Sequence, residues 1–177
     1  MKKVFIILAL IAVFFITYFL QSDVFNFFTI GSIKPNLFVI LVLFIGLFAG
    51  RKLGIILGVL FGFFLDLIFG KTIGILAVML GIIGFLGGFL DKNFSKESRI
   101  TIMLMVIGCT CIFEIGSYSY KILMQDGLVE ILTFLKMLAI EVVYNSILTI
   151  ILYPLLQKAG YYIEDEFKGK KILTRCF

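Results

Sequence analysis

The sequence contains no histidine and no tryptophan, and it has only three cysteines among 177 residues. Cys109, Cys111 and Cys176 do not have the spacing of a metal-ligand set. Zinc and haem sites depend heavily on cysteine and histidine ligands. The composition therefore argues against a zinc, haem or disulfide framework, and we expect no cofactor and no metal.

Charged residues are scarce as well. They make up 15% of the chain, whereas hydrophobic residues make up 62%. Ordinary soluble domains are about 25% charged and about 45–50% apolar, so this composition predicts an integral membrane protein. At roughly 20 residues per span, the chain has room for about six helices and no large soluble domain. Chemistry in an aqueous domain is thereby largely excluded.

Six apolar runs predict an all-α, polytopic membrane helix bundle in one domain, residues 1–177. The runs are 4–20, 36–50, 53–70, 72–90, 100–120 and 133–156, followed by a predicted cytoplasmic tail, 157–177. They lack the alternation of transmembrane β-strands. The first run is too long for a signal peptide and has no small-residue cleavage site after it, so we expect an uncleaved span.

The second apolar run is short, at about fifteen residues, compared with the length that a bilayer requires. It ends before the basic pair Arg51 and Lys52. Three arrangements suit such a segment: little tilt, local thinning of the bilayer, or a partly re-entrant course.

The basic residues predict the orientation of the bundle. With the N-terminus in the cytoplasm, twelve of the 16 Lys and Arg residues fall in inner segments, and three fall in outer segments. Basic residues near span ends remain cytoplasmic, so both termini are expected inside. Topology explains the net charge of +5 without any nucleic acid. Contact of the C-terminal "KGKK" with anionic membrane lipids is a minor addition.

Glycine recurs at every fourth position in "GLFAGRKLGIILGVLFGFFLDLIFGKTIG", residues 46–74, except where Asp66 takes its place. A step of four keeps residues close to one face of a helix, and small residues there let a second backbone approach closely in lipid. We therefore predict helix-packing or partner interfaces at Gly54, Gly58, Gly62, Asp66, Gly70, Gly74, Gly84 and Gly88. The sequence leaves open whether the partner helix is internal or belongs to another protein.

Asp66 is expected in the outer leaflet, near the end of the third span, where a charged side chain is costly without a partner. The fourth span begins at the same depth, and its first N–H groups favour an anion. Asp66 is therefore predicted to cap the fourth helix or to pair with Lys71. The functional alternative is a contact with another subunit.

Other polar residues lie within the predicted spans. Glu114 is in the fifth, and Glu141 and Asn145 begin a four-residue column on the last helix that continues through Thr149 and Tyr153. Such groups are expected to face the bundle and to hydrogen-bond between helices. A cation or proton path is an alternative, although the sequence has no opposing array of basic or histidine groups.

The stretch that begins at Lys34, "KPNLFVILVLFIGLFAGRKLGIILGVLFGFFLDLIFGKTIGILAVMLGIIGFLGGFL", resembles the rod shape-determining protein family MreD. The matching positions are Pro35, Asn36, Leu37, Gly58, Gly62, Asp66, Leu67, Gly70, Gly74, Gly84 and Phe85. Glu114 and the "NSILTIILYPLL" run are similar to the closing helices of the family. Phe85 departs from the tyrosine that is frequent in the family, and the tail from Glu164 matches no known pattern.

The resemblance implies a non-enzymatic membrane scaffold of the bacterial elongation, or rod, complex, which controls cell shape and peptidoglycan synthesis. The implied partners are an MreC-like protein, MreB filaments, the wall synthase RodA and a class B penicillin-binding protein. The alternative is a substrate-binding subunit of an energy-coupling-factor vitamin transporter, with ligand near Asp66, Glu114 and Glu141. Such pockets favour tryptophan and histidine, which are absent here. An intramembrane enzyme would need a Ser-Lys, His-Glu or Asp-pair constellation, and the sequence shows none.

Overall fold

The computed structural model describes residues 2–27, 29, 33–69, 74–94, 96, 98–125 and 130–168. The helices are α1 (Lys2–Ser22), α2 (Leu37–Ala49), α3 (Arg51–Phe69), α4 (Ile75–Asn93), α5 (Arg99–Gln125) and α6 (Ile131–Phe167), with a short 3-10 helix at Val24–Asn26. Every helix except α2 and the 3-10 turn is long and apolar enough to cross a membrane. The prediction of a polytopic, all-helical membrane protein is confirmed.

Local signals define both ends of α2. The side chain of Asn36 accepts a hydrogen bond from the N–H of Val39 over 3.3 Å, which is the usual contact of an N-cap. Gly50 separates α2 from α3 and has a φ of 92°, a conformation that glycine adopts without steric cost. A single residue is therefore enough to reverse the chain between the two helices.

α2 lies at the centre of the bundle. All of its 13 residues are buried, and it packs against each of the other five helices. At 1.5 Å per residue it is about 20 Å long, less than the roughly 30 Å of a hydrocarbon core. Because protein rather than lipid surrounds α2, the bilayer does not set its length. This explains the short second apolar run.

The final helix is longer than predicted. The apolar run ends near Leu156, but α6 continues to Phe167, so the first part of the predicted tail is helical. Two features explain the extension. Gly160 packs directly on the ring of Phe48, and the side chain of Glu164 is buried in the bundle. The end of the span near residue 156 stays a prediction, and the helix continues beyond it because tertiary contacts stabilise turns that their hydropathy alone does not favour.

The bundle has two chemically distinct ends. At one, Lys2 of α1 pairs with Glu166 of α6 over 3.3 Å, and the ammonium of Lys168 donates to the carbonyl oxygen of Leu47 in α2 over 2.5 Å. We call this the charged end. The opposite end contains the start of α4 and the carboxylate of Asp66, and we call it the Asp66 end.

Candidate functional site

A seam of close backbone contact joins α3 to α4. Gly54, Gly58 and Gly62 face α4, and a Cβ atom on any of them would collide with a carbonyl oxygen of that helix. The three carbonyls are those of Gly84, Leu80 and Leu76. Backbone atoms cannot move aside as a flexible side chain can, so only glycine permits this approach. The seam covers the stretch of α3 from Gly54 to Gly62.

The seam extends to α2 at a junction of three glycines. A Cβ on Gly54 would lie 2.5 Å from the Gly84 oxygen and 2.8 Å from the Cα of Gly46. Gly87 also approaches Gly46, and Gly88 packs on the Cα of Arg51. The predicted glycines at 54, 58, 62, 84 and 88 therefore pack on helices of the same chain, whereas a Cβ on Gly74 would meet nothing within 4 Å among the described residues. The predicted set contains Gly84 and Gly88 but omits Gly46 and Gly87; the four-residue step beginning at Gly46 was a signal for the first of these.

Asp66 binds the start of α4. Its carboxylate accepts hydrogen bonds from the N–H groups of Gly74, Leu76 and Ala77, over 3.0, 3.2 and 3.1 Å. The N-cap residue of α4, Gly74, has no side chain that could perform this role. Asp66 is only 2% exposed, so this geometry is that of a cap and leaves little surface for another subunit. Lys71 and Gly70 lie outside the described residues.

A second polar contact at the same end is centred on Asn145 of α6, which is fully buried. Its side-chain oxygen accepts a hydrogen bond from the N–H of Asn36 over 2.7 Å, and its amide nitrogen donates to the hydroxyl of Thr110 in α5 over 3.0 Å. One side chain thus joins α6 both to α5 and to the segment before α2. This is interhelical hydrogen bonding of the kind expected for polar groups in a bundle.

Glu114 and Glu141 form a buried pair between α5 and α6. They are 8% and 6% exposed, and their side chains interact with one another. The Glu141 side chain also reaches Asn36 and Asn145, while its Oε1 atom has no hydrogen-bond partner among the described residues. The pair is therefore continuous with the Asn145 contact.

The charged end contains a network that the sequence did not suggest. Lys96, which follows α4, donates to Asp91 and to Glu164 over 2.6 Å each. Lys168 donates to the other Asp91 oxygen over 2.6 Å. Two cations thus alternate with two carboxylates and tie α6 to α4. The pairing joins residues up to 77 positions apart, and no local pattern indicates such a contact.

Burial and pairing act on Lys96 in opposite directions. Burial lowers its pKa, but hydrogen bonds to Asp91 and Glu164, together with their negative charges, raise it further, so the pKa of Lys96 lies above its ordinary value. For Lys168, burial is the dominant effect and the pKa lies below its ordinary value. Lys96 is therefore held in its charged form by the network.

Two adjoining cavities of about 320 and 140 Å³ lie at the Asp66 end. Gln21, Phe38 and Phe69 line both of them. Neither Asp66 nor Glu114 nor Glu141 lines either cavity. The acids that suggested a transporter-like ligand pocket are thus engaged with protein groups instead.

Comparison with known proteins identifies the family. No curated protein and no solved structure matches the sequence. Residues 1–159 match the family described as rod shape-determining protein MreD, and this match covers most of the chain and includes Asp66 and Asn145. The chain therefore belongs to the MreD family of bacterial membrane proteins, which acts in rod-shape determination.

Proposed function

We propose that this protein is a non-enzymatic membrane scaffold of the rod complex. It binds an MreC-like protein and couples cytoplasmic MreB filaments to the wall synthases, RodA and a class B penicillin-binding protein. The observation that carries the proposal is the family match over residues 1–159. Because the glycine seams are filled by helices of the same chain, partner proteins must bind elsewhere on the surface.

Partner contacts must use surfaces that internal packing leaves free. Only 22% of the residues in the membrane-spanning part of α1 are buried, and Phe15 and Phe19 of this helix are 49% and 61% exposed. On α3, Phe63 is 47% exposed on the side away from the seam. Apolar side chains such as these can contact either lipid or a membrane helix of a partner.

Site-specific photo-crosslinking tests the scaffold proposal in cells that grow as rods. A photoreactive residue at Phe15, Phe19 or Phe63 is expected to form an adduct with the MreC-like protein from at least one position. Leu43, which is fully buried in α2, is the matched control and should form none. Full-length protein that restores rod shape to depleted cells, yet forms no adduct from any exposed position and does not co-purify with the MreC-like protein, would contradict the proposal.

The transporter alternative is tested separately. Purified protein would be heated with a panel of vitamins, and a ligand that binds the folded state must raise the unfolding temperature. We expect no shift with any vitamin. A saturable shift would favour the transporter function over the scaffold.

A further inference from the structure

The larger cavity at the Asp66 end has the size of a small-ligand site. Its volume of about 320 Å³ falls within the range of about 300–1,000 Å³ that is usual for such sites. It lies between the end of α1, the segment before α2 and the end of α3. The described residues that line it are Tyr18, Gln21, Ser22, Lys34, Phe38 and Phe69.

The polar part of this lining favours an anion. Lys34 supplies a positive charge, and Tyr18 supplies a hydroxyl donor. The oxygen of the Gln21 amide already accepts a hydrogen bond from the N–H of Leu37 over 2.9 Å, which leaves the NH₂ group of Gln21 as the part that can bind a ligand. None of the described residues that line this cavity carries a carboxylate. The nearby Asp66 carboxylate is engaged with the start of α4.

The inner part of the site is apolar. The adjoining cavity of about 140 Å³ shares Gln21, Phe38 and Phe69 with the larger one. Its remaining walls are mostly hydrophobic and are formed by Leu65, Leu76, Leu80 and Phe113, with Asn36 as the other polar residue among those described. A ligand with an anionic head beside Lys34 could therefore place an apolar chain against Phe38 and Phe69.

We propose that this cleft binds the phosphate headgroup of an anionic phospholipid, with Lys34 and Gln21 contacting the phosphate and Phe38 and Phe69 contacting the first part of an acyl chain. The leaflet at the Asp66 end supplies the lipid. Phe15, Phe19 and Phe63, which we assign to protein partners, are not among the described residues that line this cavity, so the site does not depend on the scaffold proposal. Phosphate in solution has the same headgroup chemistry and is the competing source.

The test measures binding to the purified full chain in a neutral detergent. Dihexanoyl-phosphatidylglycerol, its phosphatidylcholine counterpart with equal chains, and inorganic phosphate are titrated by calorimetry. We expect the phosphatidylglycerol to bind most tightly. Lys34→Gln should weaken its binding about tenfold, because one charge-assisted hydrogen bond is lost, and Lys34→Arg should retain it. Phe69→Ala should weaken lipid binding several-fold without affecting phosphate.

Lys52→Gln is the matched control, because Lys52 is an exposed lysine on α3 at the charged end. The proposal is overturned if the phosphatidylglycerol does not bind, or if Lys52→Gln weakens binding as much as Lys34→Gln does. Inorganic phosphate that binds as tightly as the lipid, with the same dependence on Lys34, would overturn the lipid assignment and leave a phosphate site. Equal affinity for the two phospholipids would show that net anionic charge is not recognised, which also contradicts the proposal.

Discussion

The carboxylate of Asp66, at the end of α3, accepts a hydrogen bond from the N–H of Ala77 in the first turn of α4 over 3.1 Å. The same carboxylate accepts hydrogen bonds from Gly74 and Leu76. The first N–H groups of a helix have no partner within that helix, and in an apolar setting water cannot satisfy them. An acidic side chain from the preceding helix therefore performs the role of an N-cap and holds the ends of α3 and α4 together.

Two substitutions of Asp66 distinguish the effect of its negative charge from the effect of its hydrogen-bond acceptors. Asp66→Asn retains one oxygen acceptor at nearly the same place, whereas Asp66→Leu leaves the N–H groups of α4 unmatched. Each unsatisfied buried group costs about 1–3 kcal/mol, so we expect Asp66→Leu to lower the unfolding temperature in detergent more than Asp66→Asn does. Asp23→Asn, at an exposed residue after α1, should change little.

Equal loss of stability in the two Asp66 variants would contradict the capping role. If both variants fold normally but lose co-purification with the MreC-like protein to the same degree, Asp66 is instead a charge-dependent contact with that subunit.

Two glycine-to-alanine substitutions test the seam. In Gly84→Ala the added methyl group would collide with the Gly54 carbonyl group, whereas at Gly108 of α5 a Cβ would meet nothing within 4 Å among the described residues. Overpacking costs typically about 1–3 kcal/mol, while alanine is the better residue in a helix by roughly 0.5–1 kcal/mol. Thermal unfolding in detergent should show a lower transition for Gly84→Ala and an unchanged or higher one for Gly108→Ala. A Gly84→Ala protein as stable as the Gly108→Ala protein would show that the seam is not closely packed.

Lys96→Gln tests the network at the charged end. Lys96 is 8% exposed, and its removal leaves Glu164 and Asp91 with less compensating charge. Breaking a buried ion pair in this way costs about 3 kcal/mol, so the unfolding temperature should fall clearly. Lys92→Gln, at an exposed residue of α4, is the control and should have little effect. If Lys96→Gln and Lys92→Gln were equally stable, the network would contribute nothing measurable to the stability of the fold.

The same variant predicts a dependence on pH. The folded-state pKa of Lys96 lies above its ordinary value of 10.5, so the stabilisation is fully present below that pH and is lost as the pH rises through the raised pKa. The difference in stability between the wild-type protein and Lys96→Gln should therefore be constant near neutral pH and decrease only in strongly alkaline solution. Lys168 is present in both proteins, but the charge of Lys96 lowers the pKa of Lys168, so the pKa of Lys168 is higher in Lys96→Gln and its contribution does not cancel. A difference that already disappears near neutral pH would contradict the assignment.

The orientation remains a prediction and is tested by cysteine labelling. In a variant without the native cysteines, single cysteines after Asn93 and in the C-terminal tail should be protected from an impermeant reagent in intact cells. Cysteines after Ser32, Lys71 and Asp126 should react. Labelling after Asn93 from outside would contradict the six-helix topology with both termini in the cytoplasm.

The sequence by itself determined the class of the protein, because hydropathy and helical periodicity depend on residues close together in the chain. Apolar runs predicted the six helices, and the step of four in glycine predicted faces for close packing. The capping role of Asp66 could also be predicted from the sequence, since the next helix begins only a few residues later in the chain. Motifs around Asp66 and Asn145 resemble those of the MreD family and predicted membership of that family.

Only the tertiary structure decided which surfaces meet. Residues that are far apart in sequence meet in the packing around α2, at the glycine junction around Gly46, and in the ion pair between Asp91 and Lys168. Helix α6 extends beyond its apolar run because Gly160 and Glu164 find partners elsewhere in the bundle. A local pattern shows that one face of a helix carries small, apolar or charged residues. The packing energy of that face depends on which other helix the fold places against it. The glycine columns therefore became internal seams only once the three helices were assembled.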